Sequence, residues 1–276
     1  IVLAEGRVNG QPANDLRDQR DALIGQINAQ IKTSVVRQSD GALNLFVGNG
    51  QTLVLGNTAA ALAVTPGKDD PTRFSVSLAL EGTNQPLGPN SLSGGTLGGL
   101  LSFRGEALDA AQNALGRIAL GFAASLNAQH RLGLDAYGNP GGDLIAFELP
   151  DGVPHTGNAG DGVIAMSVSA PGALTESDYR VGWDGAQYTI TRLPEQSTST
   201  FTSLPATLDG IEFDLASGTL AAGDSFMLRP TAQAAGALTL AFSDPLKVAA
   251  AAPVRTQAAA VNTGSGAIGP ASVDAD

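Results

Sequence analysis

"LGGLLSFRGEALDAAQNALGRIALGFAASLNAQHR", residues 97–131, contains no proline and returns to a large apolar residue every seventh position, at Leu101, Leu108, Leu115 and Phe122. Ala111 and Ile118 fill the intervening positions of the same register. A seven-residue apolar period is the mark of a helix that packs along its whole length against other helices. At ~1.5 Å per residue the segment extends about 50 Å, several times the ~11–12 residues of an ordinary globular helix. The reading therefore predicts a rod helix with a core face of Leu101, Leu108, Leu115, Ile118 and Phe122. Small residues at Ala107, Ala111, Ala114 and Gly121 leave room for close partners. Most of those partners are expected outside this chain.

Upstream, residues 14–31 place Leu16, Leu23, Ile24, Ile27 and Ile31 on one stripe, which predicts a second, shorter helix. Asn14 is a suitable N-cap, and Asp15 and Asp18 complement the helix dipole. The period then changes. "TSVVRQSDGALNLFVGNGQTLVLG" (33–56) reads as three short strands turned at Ser39-Asp40-Gly41 and Gly48-Asn49-Gly50, and "RFSVSLAL" (73–80) as another.

After Pro140 the helical pattern does not return. "GVIAMSVSA", "DYRVGWDG", "AQYTITRL", "GIEFDL" and "DSFMLRP" are short strands, with a hairpin turn at Trp183-Asp184-Gly185. The expected fold class is α+β. Residues 1–139 would form a helical rod domain with a β-hairpin element, and residues 140–246 an all-β outer domain, a small sandwich or barrel. Residues 247–276, rich in Ala, Gly, Ser and Pro, would form a linker or strap, because such a tract cannot bury a core.

Composition narrows the function. Gly (35) and Pro (15) make up about 18% of the 276 residues, against ~12% in average usage. With 5% aromatics, this suits an elongated, turn-rich protein more than a dense enzyme interior. A formal charge of −11 repels phosphate, which sets nucleic acid and anionic membranes aside. No run reaches the ~18 apolar residues of a membrane span. The absence of cysteine excludes disulfides and thiolate metal sites, and suits export in an unfolded state. The beginning, "IVLAEGRVNG", has neither an initiator Met nor a signal-peptide pattern and reads as the tail of a helix in a longer protein.

One stretch resembles a site. "LNAQHRLGLDAYGNPGGDL" (126–144) holds one of the two histidines together with Asp135, Asn139 and Asp143. Counted from Asp135 as a calcium loop, Tyr137 stands at the third position, Pro140 at the sixth and Ala146 at the twelfth, where oxygen, Gly and Glu are needed. The spacing fits a helix end instead. His130 and Arg131 complement the dipole, Gly133 ends the helix, and Asn139, Pro140, Gly141, Gly142 and Asp143 make a crossing into the next domain. His155, in "DGVPHTGNAGDG", reads as a solvated loop residue. With no H-E-x-x-H and no G-x-S-x-G, hydrolase chemistry has no support. "SGGTLGGLLSFRG" (93–105) lacks both phosphate-loop patterns and reads as a flexible joint and the start of the long helix. No catalytic, cofactor-binding or metal-binding residue is assigned, and no cofactor is expected.

Four runs, "NDLRDQRDALI" (14–24), "DGALNLFVGNGQTLVLG" (40–56), the segment 94–144, and "ALTESDYRVGWDGAQYTITRL" (173–193), resemble the bacterial flagellar hook-associated protein 1 family. These are the subunits that join hook to filament. The resemblance spans most of residues 10–250 and is strongest at 126–143. It implies a structural, non-enzymatic role outside the cell, reached by flagellar type III export without a cleaved signal peptide. It also implies a radial order, with terminal helices forming an inner tube, a helical rod around it and β domains outside. The implied partners are copies of itself, the hook protein and hook-associated protein 3, while the fragment alone is expected to be a monomer. The rival reading is a surface-exposed binding or adhesion module of another secreted or tail-like assembly. A lateral aromatic patch would mark it, and only Tyr179, Trp183 and Tyr188 are grouped in sequence.

Overall fold

The structure is a computed structural model that describes residues 7–8, 11–12, 14–39, 41–80, 82–88, 91–193, 195–252 and 263–266. Asp40 of the first expected turn, and most of the expected strap beyond residue 252, lie outside the described residues. Helix and strand are mixed, in two compact units. One comprises residues 1–111 with 153–158, the other residues 112–152 with 159–276. Among the described residues no helix is long and apolar enough to cross a membrane.

The first unit begins with the helix Asn14–Gln30. Asn14, expected as its N-cap, is the first helical residue. Ile24, Ile27 and the fully buried Ile31 face the core, while Leu23 of the same expected stripe points to solvent. Four antiparallel strands follow in chain order, Thr33–Arg37, Leu43–Val47, Gln51–Leu55 and Thr58–Ala59. A meander of Ala61–Pro66, Phe74–Leu80 and Thr83–Pro86 completes the β structure. The core gathers Leu45, Val47, Leu53, Leu78, Leu87 and Leu92, with Leu97 and Leu101 of the long helix packed on it. The glycine-rich joint is close-packed. Gly95 has φ +63, and a Cβ there would lie 2.5 Å from the backbone of Gln30, so the helix start is pressed against the end of the first helix.

The long helix runs without a break over residues 95–131, but not with one geometry. Gly95–Ser102 is α, Phe103–Leu108 is π, and Asp109–Arg131 is α again. A π segment closes its hydrogen bonds one residue further along the chain than an α turn and so rotates everything after it. The seven-residue register that links Leu101 to Leu108 on paper is cut by this segment. Leu101 packs on a core, whereas Leu108 is exposed.

From Asp109 onward the helix buries Asn113, Gly116, Leu120, Ala123, Asn127 and His130. Their spacings alternate three and four, so the contact face also repeats every seven residues, but it is half polar. Of the expected core face, Leu101 alone packs on a core within this chain. Leu108, Leu115, Ile118 and Phe122 are exposed by 41%, 59%, 63% and 60%. Nor does close packing occur at the small residue expected to allow it. A Cβ on Gly121 would meet nothing, while one on Gly116 would lie 1.8 Å from the carbonyl oxygen of Thr231.

Two larger antiparallel sheets, and the short pair Ile145–Ala146 with Thr239–Leu240, build the rest of the second unit. Ile211–Ser217 pairs with Val163–Val168 on one side and Ala206–Leu208 on the other. Asp178–Trp183 pairs with Ser225–Leu228 and with Tyr188–Leu193, which pairs in turn with Ser197–Phe201. The five strands expected from sequence are all present, and Ser197–Phe201 and Ala206–Leu208 are additions. Both sheets contribute to one core. Ile164, Ile211 and Phe213 come from the first and Tyr179, Val181, Ile190, Phe226 and Leu228 from the second, with Leu120 of the helix. The Trp183-Asp184-Gly185 turn forms as expected, with Asp184 Oδ1 accepting the N–H groups of Ala186 and Gln187 at 2.7 Å each. A tighter turn, Asp209-Gly210, has φ +52 and +75. Its aspartate accepts the Tyr179 hydroxyl and the Arg192 Nε, both at 2.8 Å.

Two measurements check this packing. Leu120→Ala empties a fully buried position and is expected to cost roughly 2–5 kcal/mol. Leu115→Ala is expected to stay within about 0.5 kcal/mol. Urea denaturation of both variants decides which face is the core of this chain, and equal losses would reject the assignment. The second measurement uses Tyr179, whose hydroxyl is pushed up to about 12, chiefly by burial. A phenol held protonated by folding stabilises fully below its unfolded value of ~10 and loses that contribution as pH rises through the folded value. Stability should therefore fall between about pH 10 and about 12, and Tyr179→Phe should flatten that part of the profile.

Candidate functional site

The long helix ends where two chain segments meet it. Asn127 lies on the buried face, and its Oδ1 accepts the N–H groups of Leu144 (2.9 Å) and Ile145 (2.8 Å) while its Nδ2 donates to the Ile145 carbonyl at 2.8 Å. One turn later His130, also buried, uses both ring nitrogens. The Ala249 N–H donates to Nε2 at 2.8 Å, so Nε2 carries no proton, and Nδ1 donates to the Gly142 carbonyl at 2.8 Å. The imidazole thus joins the chain leaving the helix to the chain returning from the β structure. Its ring lies 5.8 Å from that of Phe242.

Backbone bonds complete the junction. Leu134 and Ala251 exchange N–H···O contacts at 2.8 and 3.2 Å, and the Ala136 N–H reaches the Leu246 carbonyl at 2.9 Å. The glycines make the approach possible. A Cβ on Gly133 would lie 2.1 Å from the Ala249 oxygen, and one on Gly141 2.1 Å from the His130 oxygen. Gly142 has open space around it, so its role is the carbonyl that His130 holds. Asn139 and the exposed Pro140 belong to a turn closed by Asp135, whose Oδ1 accepts the N–H groups of Tyr137 and Asn139 at 2.9 and 2.8 Å. Asp143 pairs with Arg131 on the surface.

Of the oxygens that gave this loop the look of a cation site, Asp135 Oδ1 is taken by backbone amides and Asp143 Oδ1 by an arginine. His130 has no lone pair left for a base or a ligand. His155 accepts the Gly157 N–H at Nδ1 (2.9 Å) and stands 3.8 Å from Asp69 through Nε2. Among the described residues, no three His, Cys, Asp or Glu side chains are grouped to hold a metal. The aromatic group offers no open patch either. Tyr179 is buried edge-on to Phe213 at 5.4 Å, and Trp183 packs on Tyr188 at 4.4 Å beside the core.

The second feature is the exposed helix face. Leu115, Ile118 and Phe122 project from Asp109–Arg131 with nothing over them, and a shallow groove of about 500 Å³ opens beside Leu115 along Gln112, Ala232, Gln233 and Ala235. Three exposed large apolar side chains within eight residues form a surface of the kind that soluble monomers keep small. Sequence reasoning found these residues and missed Asn113, Gly116, Asn127 and Ala249. On the helix their signal was a line of small and polar residues at spacings of three and four, which an apolar search passes over, and Ala249 had no local signal.

Comparison with known proteins bears on both features. Residues 2–145 match the flagellar hook-associated protein FlgK helical domain. Residues 153–230 match the D2-like domain of flagellar hook-associated protein 1. The chain is 37% identical over 249 residues to flagellar hook-associated protein 1 of Escherichia coli (strain K12), covering 88% of this chain and 45% of that protein. For the Salmonella typhimurium protein of the same name the figures are 36% over 231 residues, 82% and 41%. The solved flagellar hook junction protein FlgK from Burkholderia pseudomallei superposes with a TM-score of 0.78 at 38% identity, over 86% of this chain and 45% of that one. The chain spans less than half the length of the relatives it matches.

His130→Ala is expected to leave the Ala249 N–H and the Gly142 carbonyl without partners and to cost roughly 2–6 kcal/mol, from ~1–3 kcal/mol per buried unpaired group. Arg131→Ala, which breaks only an exposed ion pair, should cost less than ~1 kcal/mol. Hydrogen exchange at the Ala249 amide should accelerate in the first variant alone. Unchanged exchange there would place the anchor of the returning segment elsewhere.

Proposed function

The chain belongs to the flagellar hook-associated protein 1 family, and from that membership we propose that it is the middle part of a subunit joining flagellar hook to filament. In this reading it is a structural protein with no enzymatic activity. It works outside the cell on the flagellum, exported without a cleaved signal peptide. Its neighbours in the assembled flagellum are the hook protein, hook-associated protein 3 and copies of itself.

The observation that carries the proposal is the exposed stripe. Covering a large apolar side chain is worth about 1.5–3 kcal/mol, so Leu115, Ile118 and Phe122 together offer roughly 4–9 kcal/mol to helices laid over them. Leu101, Leu108, Leu115, Ile118 and Phe122 are then core positions of a rod completed by the rest of the subunit and by its neighbours. Residues 1–139 act as the rod with its β-hairpin element, and residues 140–246 act as an outer β module, a small sandwich. Residues from 247 onward act as the strap leading out of the module. The junction at His130 supports this division, because an inserted module needs its outgoing and returning chains side by side on the element that carries it.

The test separates assembly from folding. In the 276-residue chain, replacing Leu115, Ile118 and Phe122 together by Gln is expected to leave the urea midpoint nearly unmoved. Light scattering should find a monomer at ~10 μM, so any self-association has a weaker Kd. The same triple substitution in the full-length protein should abolish swimming in cells that have no other copy. Normal swimming with the triple variant, or a tight dimer of the 276-residue chain, would overturn the proposal.

A further inference from the structure

The strand Thr33–Arg37 stands at the end of its four-stranded sheet, hydrogen-bonded to Leu43–Val47 on one side and to no described strand on the other. Its neighbour is mostly buried, yet four of its own five residues are exposed. Val35 and Val36 are 44% and 50% exposed. Consecutive residues of a strand point to opposite faces, so both faces of this edge carry an uncovered β-branched side chain. Alternate residues also turn N–H and C=O groups away from the sheet; the Thr33 N–H is held by Asn28 Oδ1 at 3.0 Å, and those further along the strand meet no described strand. Such an edge is a template for another strand.

Charge decides which strand it fits. Lys32 and Arg37 bracket the edge, both exposed. Among the described residues neither joins an ion pair, whereas Arg20, Arg73, Arg117, Arg131, Arg192 and Arg229 each pair with an acid. Arg17, Lys68, Arg104 and Lys247 also join no ion pair among the described residues, so what marks Lys32 and Arg37 is their place at the two ends of one strand, in a chain of net charge −11. They also exclude the simplest occupant. A second copy pairing antiparallel about Ser34 and Val35 would set Lys32 opposite Arg37 at both ends, and like charges placed opposite each other destabilise a ladder. The arrangement that rejects a copy of the same strand accepts one with acids at its ends.

We propose that Thr33–Arg37 is a strand-addition site for an extended partner segment with β-branched residues at its centre and Asp or Glu at each end. Main-chain hydrogen bonds supply the affinity, Val35 and Val36 supply apolar contact on the two faces, and Lys32 and Arg37 supply the selection. This goes beyond the junction role, since it concerns residues other than those of the exposed helix face on which that role rests.

The experiment uses the 276-residue chain and a synthetic seven-residue peptide of alternating Thr and Val with Asp at each end. A twin with Lys at each end and a version with N-methylated alternate amides serve as comparisons. Binding is read by fluorescence anisotropy at low salt, and location by amide chemical shifts. The acidic peptide should bind about tenfold tighter than its basic twin, a difference of ~1.4 kcal/mol, and should move the amides of residues 33–37. The double variant Lys32→Glu with Arg37→Glu, changed only at exposed unpaired side chains, should reverse that preference. N-methylation should remove binding, which separates strand pairing from plain charge attraction. Equal binding of the two twins, binding that survives N-methylation, or unmoved amides at 33–37 at about 1 mM peptide would overturn the proposal. So would concentration-dependent shifts of the same amides without peptide, which would identify the occupant as a second copy.

Discussion

Backbone groups taken out of water must find hydrogen-bond partners, and on the long helix this requirement is met by polar side chains in the contact face. Segments that cross a helix surface bring buried N–H and C=O groups that need partners there. Asn127 satisfies three such groups from Leu144 and Ile145, and His130 satisfies Gly142 and Ala249. Asn113 holds the Glu176 carbonyl at 2.9 Å. An apolar side chain at any of these positions would bury as much surface and leave those groups unpaired, at ~1–3 kcal/mol each. The polar face is what lets irregular chain lie flat on a helix.

The same helix therefore carries two seven-residue repeats with different uses. One, of Asn113, Gly116, Leu120, Ala123, Asn127 and His130, is consumed within the chain. The other, at Leu108, Leu115, Ile118 and Phe122, is apolar and exposed. Keeping them apart has a stability consequence. Leu115, Ile118 and Phe122 are all more than half exposed, so substitutions there are expected to change folding stability little. The π segment at Phe103–Leu108 contributes by rotating the register, so that Leu101 serves a core while Leu108 does not.

Acidic side chains show a comparable division. Much of the negative charge sits in turns, where carboxylates accept backbone amides. Asp224 receives the Ala221 N–H at 2.8 Å, with those of Ala159 and Gly160 beside it, and its pKa is lowered, first by the Ala221 bond. Thr219 lowers Asp161 through its N–H, and Gln187 does the same for Asp184. Lowered carboxylates contribute stability that is present above their unfolded values and lost as pH falls through the folded ones. Acid should therefore loosen the turns of the β structure first. A protein rich in loops and poor in aromatic core relies on such contacts to give each turn one shape.

Local pattern was enough for the elements. The absence of proline and the apolar period of residues 97–131 announced a helix that the structure places at 95–131, and alternating strands with Gly-Asn-Gly and Trp-Asp-Gly turns announced the hairpins. These features depend on residues a few positions apart, so a linear reading captures them. The runs that resemble the hook-associated family were legible for the same reason. Which face of the helix is buried was not. Hydrophobicity ranks Leu115 and Phe122 above Asn127 and His130 for burial, because an unpartnered amide or imidazole is costly away from water. That ranking reverses only when Gly142, Ile145 and Ala249 arrive to fill each hydrogen bond. Ala249 is separated from His130 by 119 positions. Nothing in the helix itself encodes that arrival, so the helix was set by its own sequence, and its inside and outside by the chain that folds back upon it.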